Sequence, residues 1–303
     1  MISIVGLGNA ASAVAQKFKD IGQYNVYEMN NSVSRTSKYK FKLKTYETPE
    51  EYENNIPDVS KFFKDSDTHI QFFVTGGSFS SNYTLGILQQ LQGKKVDLIY
   101  IKPDTELLTG YPVLIENMTF GVLQEYARSG LLSSVTLISN LNIETCMGDL
   151  PIKTYYNSLN QFIFSTIHHV NYFTHTEPEI GQVSKPAQLN RIRSIAGLNV
   201  KNLEEMWLFD LDTPRELCYY LAINSERLET EGGLHRRIVS MLKEKPRNAF
   251  RKISYAIYET PYNDFGFCVA HTNVVQTTKR LLTSLIKSDT IDIKERLIYF
   301  NNH

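Results

Sequence analysis

The sequence carries no excess of either charge: 32 lysines and arginines face 32 aspartates and glutamates in 303 residues. No global field then attracts nucleic acid or an anionic membrane, so a site for a polyanion has to be built locally. Direct nucleic-acid and membrane roles are disfavoured on that ground. Cysteine is scarce. Cys146, Cys218 and Cys268 are odd in number, far apart and without the close pairs of a zinc site, and they read as core thiols in a reducing compartment. No run of about 18 apolar residues occurs, and the opening MISIVGLG lacks the basic flank and long apolar stretch of a signal peptide. The expectation is a cytoplasmic protein. What is present, 42% hydrophobic and 21% charged residues, suits a globular chain with a full core, organised as one large or two ordinary domains.

The first half alternates strand and helix signals. ISIVG is a β-branched run ending in glycine, and NAASAVAQKFKDIG repeats Ala11, Val14, Ala15 and Phe18 at helical spacing. NVYEM is a second short strand. TPEE after it combines a threonine cap, a proline at the first helical position and acids in the first turn, which starts a helix. HIQFFVTGG, KKVDLIYIKP and SSVTLISN read as further strands, with helices at NYTLGILQQLQG and TFGVLQEYARSG between them. Strands separated by helices imply a parallel sheet covered on both faces, with ligands at the carboxyl ends of the strands. Gly6, Gly8, Gly76, Gly77 and Asn140 then share one edge.

From Thr154 the run TYYNSLNQFIFSTIHHVNYF is apolar nearly all round a helix and is expected to lie buried between layers. The polar THTEPEIGQVSKPAQ marks a junction near 174–187. Beyond it LNRIRSIAG and GGLHRRIVSMLKE read as helices and EEMWLFDL and RKISYAIYE as strands, consistent with a smaller α+β domain. His168 and His169 are adjacent and point apart, so they form no metal pair by themselves. No metal-ligand spacing and no nucleophile elbow is recognisable.

Two strand-to-helix turns carry glycine, GLGNAA and VTGGSFSSN. The first lacks the third glycine of a dinucleotide fingerprint, although Glu28 stands where an NAD enzyme keeps its ribose-binding acid. An NAD-dependent oxidoreductase is therefore one reading, but it leaves the second loop unexplained.

Taken in order, the pieces resemble the tubulin and FtsZ superfamily of GTP-dependent filament proteins over nearly the whole chain. GNAASAVAQKF resembles the first phosphate loop and helix, QFFVTGGSFSSN stands in the place of a GGGTGSG signature, and IYIKPDTELLTG is similar to the strand and loop near the ribose. SNLNIETC and YNSLNQF resemble the guanine side, where an asparagine follows the last strand and an aromatic and an asparagine open the central helix. The resemblance implies a Rossmann-like parallel-sheet GTPase domain at 1–153, a central helix at 154–174, a smaller α+β assembly domain at 175–288 and a tail at 289–303. It implies GTP or GDP, with magnesium, as the bound cofactor. Phosphate contacts fall to Gly8, Asn9, Ala10, Gly76, Gly77, Ser78, Ser80 and Ser81, and base contacts to Asn140, Tyr156 and Asn160. Tyr156 and Asn160 are four residues apart, so ring and amide share a helical face. The bland alternative is that they are an exposed first turn of a core helix.

Two departures from the pattern carry weight. Phe79 replaces the signature threonine, and it either turns outward and leaves the cradle usable or fills the phosphate space. Hydrolysis in the family uses an acid on the loop after the central helix, which completes the site of the next subunit. Here Glu177 and Glu179 are the local candidates, with Glu204 and Glu205 in GLNVKNLEE as the other alignment. Three functions of different class follow: a cytomotive head-to-tail homopolymer of phage or plasmid type, with an adaptor or cargo reached through the tail; a related module without GTP hydrolysis, serving as a structural or binding protein; and the oxidoreductase.

Overall fold

The computed structural model describes residues 1–246 and 251–277. The expected tail at 289–303 and the last part of the expected assembly domain, 278–288, lie outside the described residues.

Five parallel strands build the first half: β1 (Ile2–Leu7), β2 (Tyr24–Asn30), β4 (His69–Thr75), β5 (Lys95–Lys102) and β6 (Ser134–Ser139), with the short β3 (Lys40–Lys42) at the edge. The inner strands β1, β4, β5 and β6 are buried along most of their length, as apolar runs require when both faces are covered. Covering them are α1 (Asn9–Gln16), α3 (Thr84–Gln89), α4 (Tyr111–Ser129) and α5 (Asn140–Met147). The TPEE signal holds: Thr48 caps α2 (Pro49–Asn54), with Glu51 completing a capping box. α2 is short, because Asn54, Asn55 and Pro57 follow at once.

α6 (Tyr155–Thr174) packs on α1 and α5 and buries Leu159, Ile163, Ile167, Val170 and Phe173 in one core cluster. Each such side chain contributes roughly 1.5–3 kcal/mol on burial. Its direction follows from one buried pair: Gln71, near the start of β4, exchanges two amide hydrogen bonds with Asn171, near the end of α6, at 2.6 and 2.8 Å. α6 therefore descends from the carboxyl edge of the parallel strands to their amino edge. His168 sits against Phe164 and bonds the Tyr24 hydroxyl at 3.0 Å, while His169 packs on Phe265 and Phe267 of the second half.

The second half adds β7 (Ile180–Gln182), β8 (Ile192–Asn199), β9 (Glu204–Trp207), β10 (Glu216–Asn224), β11 (Lys252–Thr260) and β12 (Phe265–Thr272), with α7 (Ser225–Thr230) and α8 (Leu234–Glu244). Among the described residues all twelve strands join in one sheet, order β3-β2-β1-β4-β5-β6-β8-β12-β10-β11-β7 with β9 beside β8. The halves meet where β8 runs parallel to β6 over Val135 to Ile192 and Thr136 to Arg193.

Two corrections to the sequence reading concern this half. LNRIRSIAG, expected as a helix, is β8. Its isoleucines at 192 and 195 mimic helical spacing, but Ser194 and Ala196 are buried too, and the segment is clamped between β12 and β9. ELCYYLAIN, not recognised as an element, is the buried central strand β10. No described helix is long and apolar enough to cross a membrane.

Candidate functional site

At the carboxyl edge the two glycine turns face each other. Gly8 caps α1 at φ +84°, a backbone that other residues rarely adopt, and its N–H donates to Met29 O at 2.8 Å. A Cβ there would overlap Ser80 Oγ, so the second loop rests directly on the first. That loop continues through Ser78 into a 3₁₀ turn at Phe79–Tyr83. Ser78 Oγ and Ser80 Oγ are 2.7 Å apart, and Ser81 Oγ turns inward to its own turn at Ser78 O. The backbone N–H groups of Gly77, Ser78, Phe79 and Ser80 donate to no acceptor among the described residues. Together with the first N–H groups of α1 they form a run of donors suited to an anion. Asn9, Ala10, Ser78, Phe79 and Ser80 line an open cleft of about 460 Å³, closed on the far side by Asn31, Lys44, Thr45, Tyr46 and Tyr52.

Phe79 answers the question it raised in part. Its ring lies 6.0 Å from Tyr52 and 6.3 Å from Tyr111, centroid to centroid, so it is held as a wall of the cleft by α2 and the start of α4. The N–H groups beside it remain free.

Gly76 has a different cause from Gly8. Its N–H bonds Ile101 O at 3.0 Å, and a Cβ would overlap Glu116 Oε2 and Tyr100 Oη. Glu116, on α4, is fully buried and accepts from Lys102 Nζ at 2.7 Å and from the Tyr100 hydroxyl. Burial, with the Glu116 carboxylate next to it, pushes the Tyr100 phenol well above its ordinary value. Lys102 also lies over the Phe120 ring at 4.9 Å. The glycine loop is thus seated on a buried ion pair, a support that gives no local signal in the sequence.

Asn140 begins α5 directly after β6, on the same edge, and Tyr156 and Asn160 lie in the first turns of α6. None of the three lines the serine cleft: β5 separates β6 from β4, which puts Asn140 roughly 10 Å along the edge, while the first turns of α6 pack by α1, with Lys17 Nζ on Asn157 Oδ1 at 2.9 Å. Tyr156 is 74% exposed, and its ring touches Tyr155 edge-on at 5.1 Å. Glu177 and Glu179 are exposed just beyond the other end of α6, where Glu179 N–H pairs with Ile257 O at 2.8 Å. Twenty residues of helix separate the two groups by about 30 Å. Glu204 and Glu205 follow β8, which runs parallel to β6, and so leave from its carboxyl side. Glu205 is engaged by Tyr219 at 2.6 Å and Lys245 at 2.8 Å.

Glu28 is also spent, on Lys40 at 3.0 Å, Asn30 at 2.7 Å and Gln16 at 3.4 Å. A ribose hydroxyl would have to displace these partners. Sequence reasoning missed Lys44, although the alternation KYKFKLK, with a lysine at every second position, was the signal that could have found it.

No protein-family profile matches the sequence, and no curated protein does. Solved structures do match over nearly the whole length. A GTPγS-form protofilament of TubZ from Bacillus thuringiensis serovar israelensis superposes with TM-score 0.69 at 11% identity, over 98% of this chain and 92% of that one. The fold is that of tubulin and FtsZ. An empty FtsZ dimer from M. jannaschii (TM-score 0.62, 12% identity, 89% and 88% covered) and CetZ from Methanosaeta thermophila strain DSM 6194 (0.62, 11%, 99% and 93%) share the tubulin-like architecture. The TubZ neighbours were solved in GTPγS and GDP forms. The free N–H groups and the close Gly8–Ser80 approach fit the phosphates; the cleft lining offers magnesium hydroxyls and amides but, among the described residues, no carboxylate.

Proposed function

We propose that this chain is a guanine-nucleotide-binding subunit of a head-to-tail filament, of the type that phages or plasmids use to position DNA-bearing cargo. The observation that carries the reading is the facing pair of glycine turns with unpaired N–H groups on the edge where α6 begins. Support comes also from the TubZ structures, which are protofilaments in GTPγS and GDP forms.

On this reading residues 1–153 bind nucleotide, 154–174 form the spine and 175–288 the assembly domain. Gly8, Asn9 and Ala10 with Gly76, Gly77, Ser78, Ser80 and Ser81 hold the phosphates by backbone and hydroxyl donors. Asn140 and Asn160 read the guanine edge by their amides, and Tyr156 stacks on its face. GTP supplies the transferable γ-phosphate when bound. Glu177 or Glu179, about 30 Å away, reaches a nucleotide only from the next subunit, where it orients the attacking water. A heterologous contact of that kind makes open polymers. The compartment is the cytoplasm, and the tail at 289–303 recruits the adaptor or cargo.

The test is pelleting and light scattering of the purified protein with GTP, with a slowly hydrolysed analogue and without nucleotide. Polymer that needs nucleotide, and that decays with GTP but persists with the analogue, is expected. Polymer equally persistent with both nucleotides would favour the hydrolysis-free module, and absence of guanine-nucleotide binding by calorimetry would end the proposal.

A further inference from the structure

The cleft between the glycine turns and the segment 43–46 contains one cation and no carboxylate among the described residues. The cation is Lys44, and its backbone is firmly placed: Leu43 is buried and its N–H bonds Asn30 O at 2.9 Å, while the Tyr83 hydroxyl donates to Lys44 O at 3.2 Å. Lys42 differs, because its ammonium donates to Ser34 O at 3.3 Å. The Lys44 ammonium has no acceptor among the described residues. Lys44 lines a cleft whose other wall carries Ser78, Phe79 and Ser80, with their unpaired N–H groups and the two serine hydroxyls.

Two carboxylates beside the glycine turns are committed. Glu28, at the end of β2, is neutralised by Lys40, and Glu116, under Gly76, by Lys102. Magnesium on a nucleotide is usually held by one or two carboxylates beside the phosphates, and the lining of this cleft supplies none. An ammonium offers charge-assisted hydrogen bonds to the same phosphate oxygens without any metal.

We infer that Lys44 takes the part of the divalent cation: the cleft binds the polyphosphate of a nucleotide in its metal-free form, with the Lys44 ammonium as counter-ion. The inference rests on the nucleotide-binding reading above and adds to it the charge state of the ligand. Removing magnesium raises the negative charge of GTP, which strengthens its pairing with an ammonium, and removes no contact to protein.

The experiment is equilibrium binding of a fluorescent GTP derivative to the full chain, in excess magnesium and in EDTA, with Lys44→Gln and, as a control, Lys42→Gln. Affinity in EDTA equal to or above that in magnesium is expected, with a loss of about ten-fold in Lys44→Gln and less than two-fold in Lys42→Gln. A loss of ten-fold or more on chelation, or a Lys44→Gln affinity equal to the parent's, overturns the inference. Absence of binding by the parent chain in both buffers overturns the nucleotide reading itself, and so is told apart from a failure of this step alone.

Discussion

Around Asp97, at the amino edge of the parallel strands, the polar side chains are spent on one another; around the glycine turns at the carboxyl edge they are left over. Asp97 at the start of β5 accepts from His69 at 2.7 Å and from Ser134 at 2.7 Å, and lies beside Arg193, which itself donates to Thr136 Oγ1 at 2.6 Å. Burial alone would raise the Asp97 carboxyl, but Arg193, His69 and Ser134 together hold it well below the usual carboxylate range. At the other edge the N–H groups of 77–80, the Lys44 ammonium and the Asn160 amide meet no partner among the described residues. A cluster that satisfies its own groups, as around Asp97, reads as structure, and the half-buried donors beside the glycine turns read as a place for a ligand.

The sharpest way to break that comparison is Asp97→Ala. It strands Arg193 and His69 in a closed site, so the expected loss is about 3–5 kcal/mol in urea unfolding, with nucleotide affinity of the folded protein unchanged. A loss below about 1 kcal/mol would mean that the amino edge is not the self-satisfied structure described above. Gly76→Ala comes next. Its Cβ has to displace the Glu116 carboxylate or shift the loop, with an expected cost of about 1–3 kcal/mol. Unlike Asp97→Ala, it should weaken nucleotide binding as well, if the displaced loop is the cradle proposed above.

These two residues also show where the sequence could be read and where it could not. β1, β4, β5, β6, the capped start of α2 and the length of α6 all follow from local pattern, and so does the carboxyl-edge position of Gly8, Gly76 and Asn140. What local pattern cannot carry is contact across the chain. Gly76 is required by Glu116, forty residues on, and β8 takes its strand form from β12 and β9 rather than from its own isoleucine spacing. α4 starts at Tyr111 rather than near Thr119, because Pro112 sets its first turn after Gly110, a helix start that was present in the sequence but overlooked. In the candidate site, the two glycine turns were legible because glycine is diagnostic of backbone geometry. Lys44 was not, because a lysine in a charged strand looks like any solvated face.

A smaller effect comes from pH. His271 on β12 is buried beside Arg193; burial first, and Arg193 second, lower its pKa from 6.5 to about 3. The unfolded chain therefore binds a proton that the folded chain refuses. The resulting stability is fully present above pH 6.5 and is lost as pH falls from about 6.5 toward 3, at about 1.4 kcal/mol per pH unit. Between pH 7 and pH 5 the loss from this group should be about 2 kcal/mol. The same measurement on His271→Asn should show a shallower slope, and an unchanged slope would remove His271 from the amino-edge account.

The smallest expected change in stability belongs to Tyr156→Ala, and it probes the carboxyl edge most directly. A ring 74% exposed loses little on truncation, so the unfolding midpoint should hold to within about 0.5 kcal/mol. If the ring stacks on guanine, nucleotide affinity falls by about ten-fold, the equivalent of one base–aromatic contact. Tyr156→Phe keeps the ring face and should bind as the parent does, because stacking needs no hydroxyl. An Ala variant with parental affinity would leave Tyr156 as an exposed first turn of a core helix, and the leftover groups of this edge would then be confined to the cleft between Gly8 and Lys44.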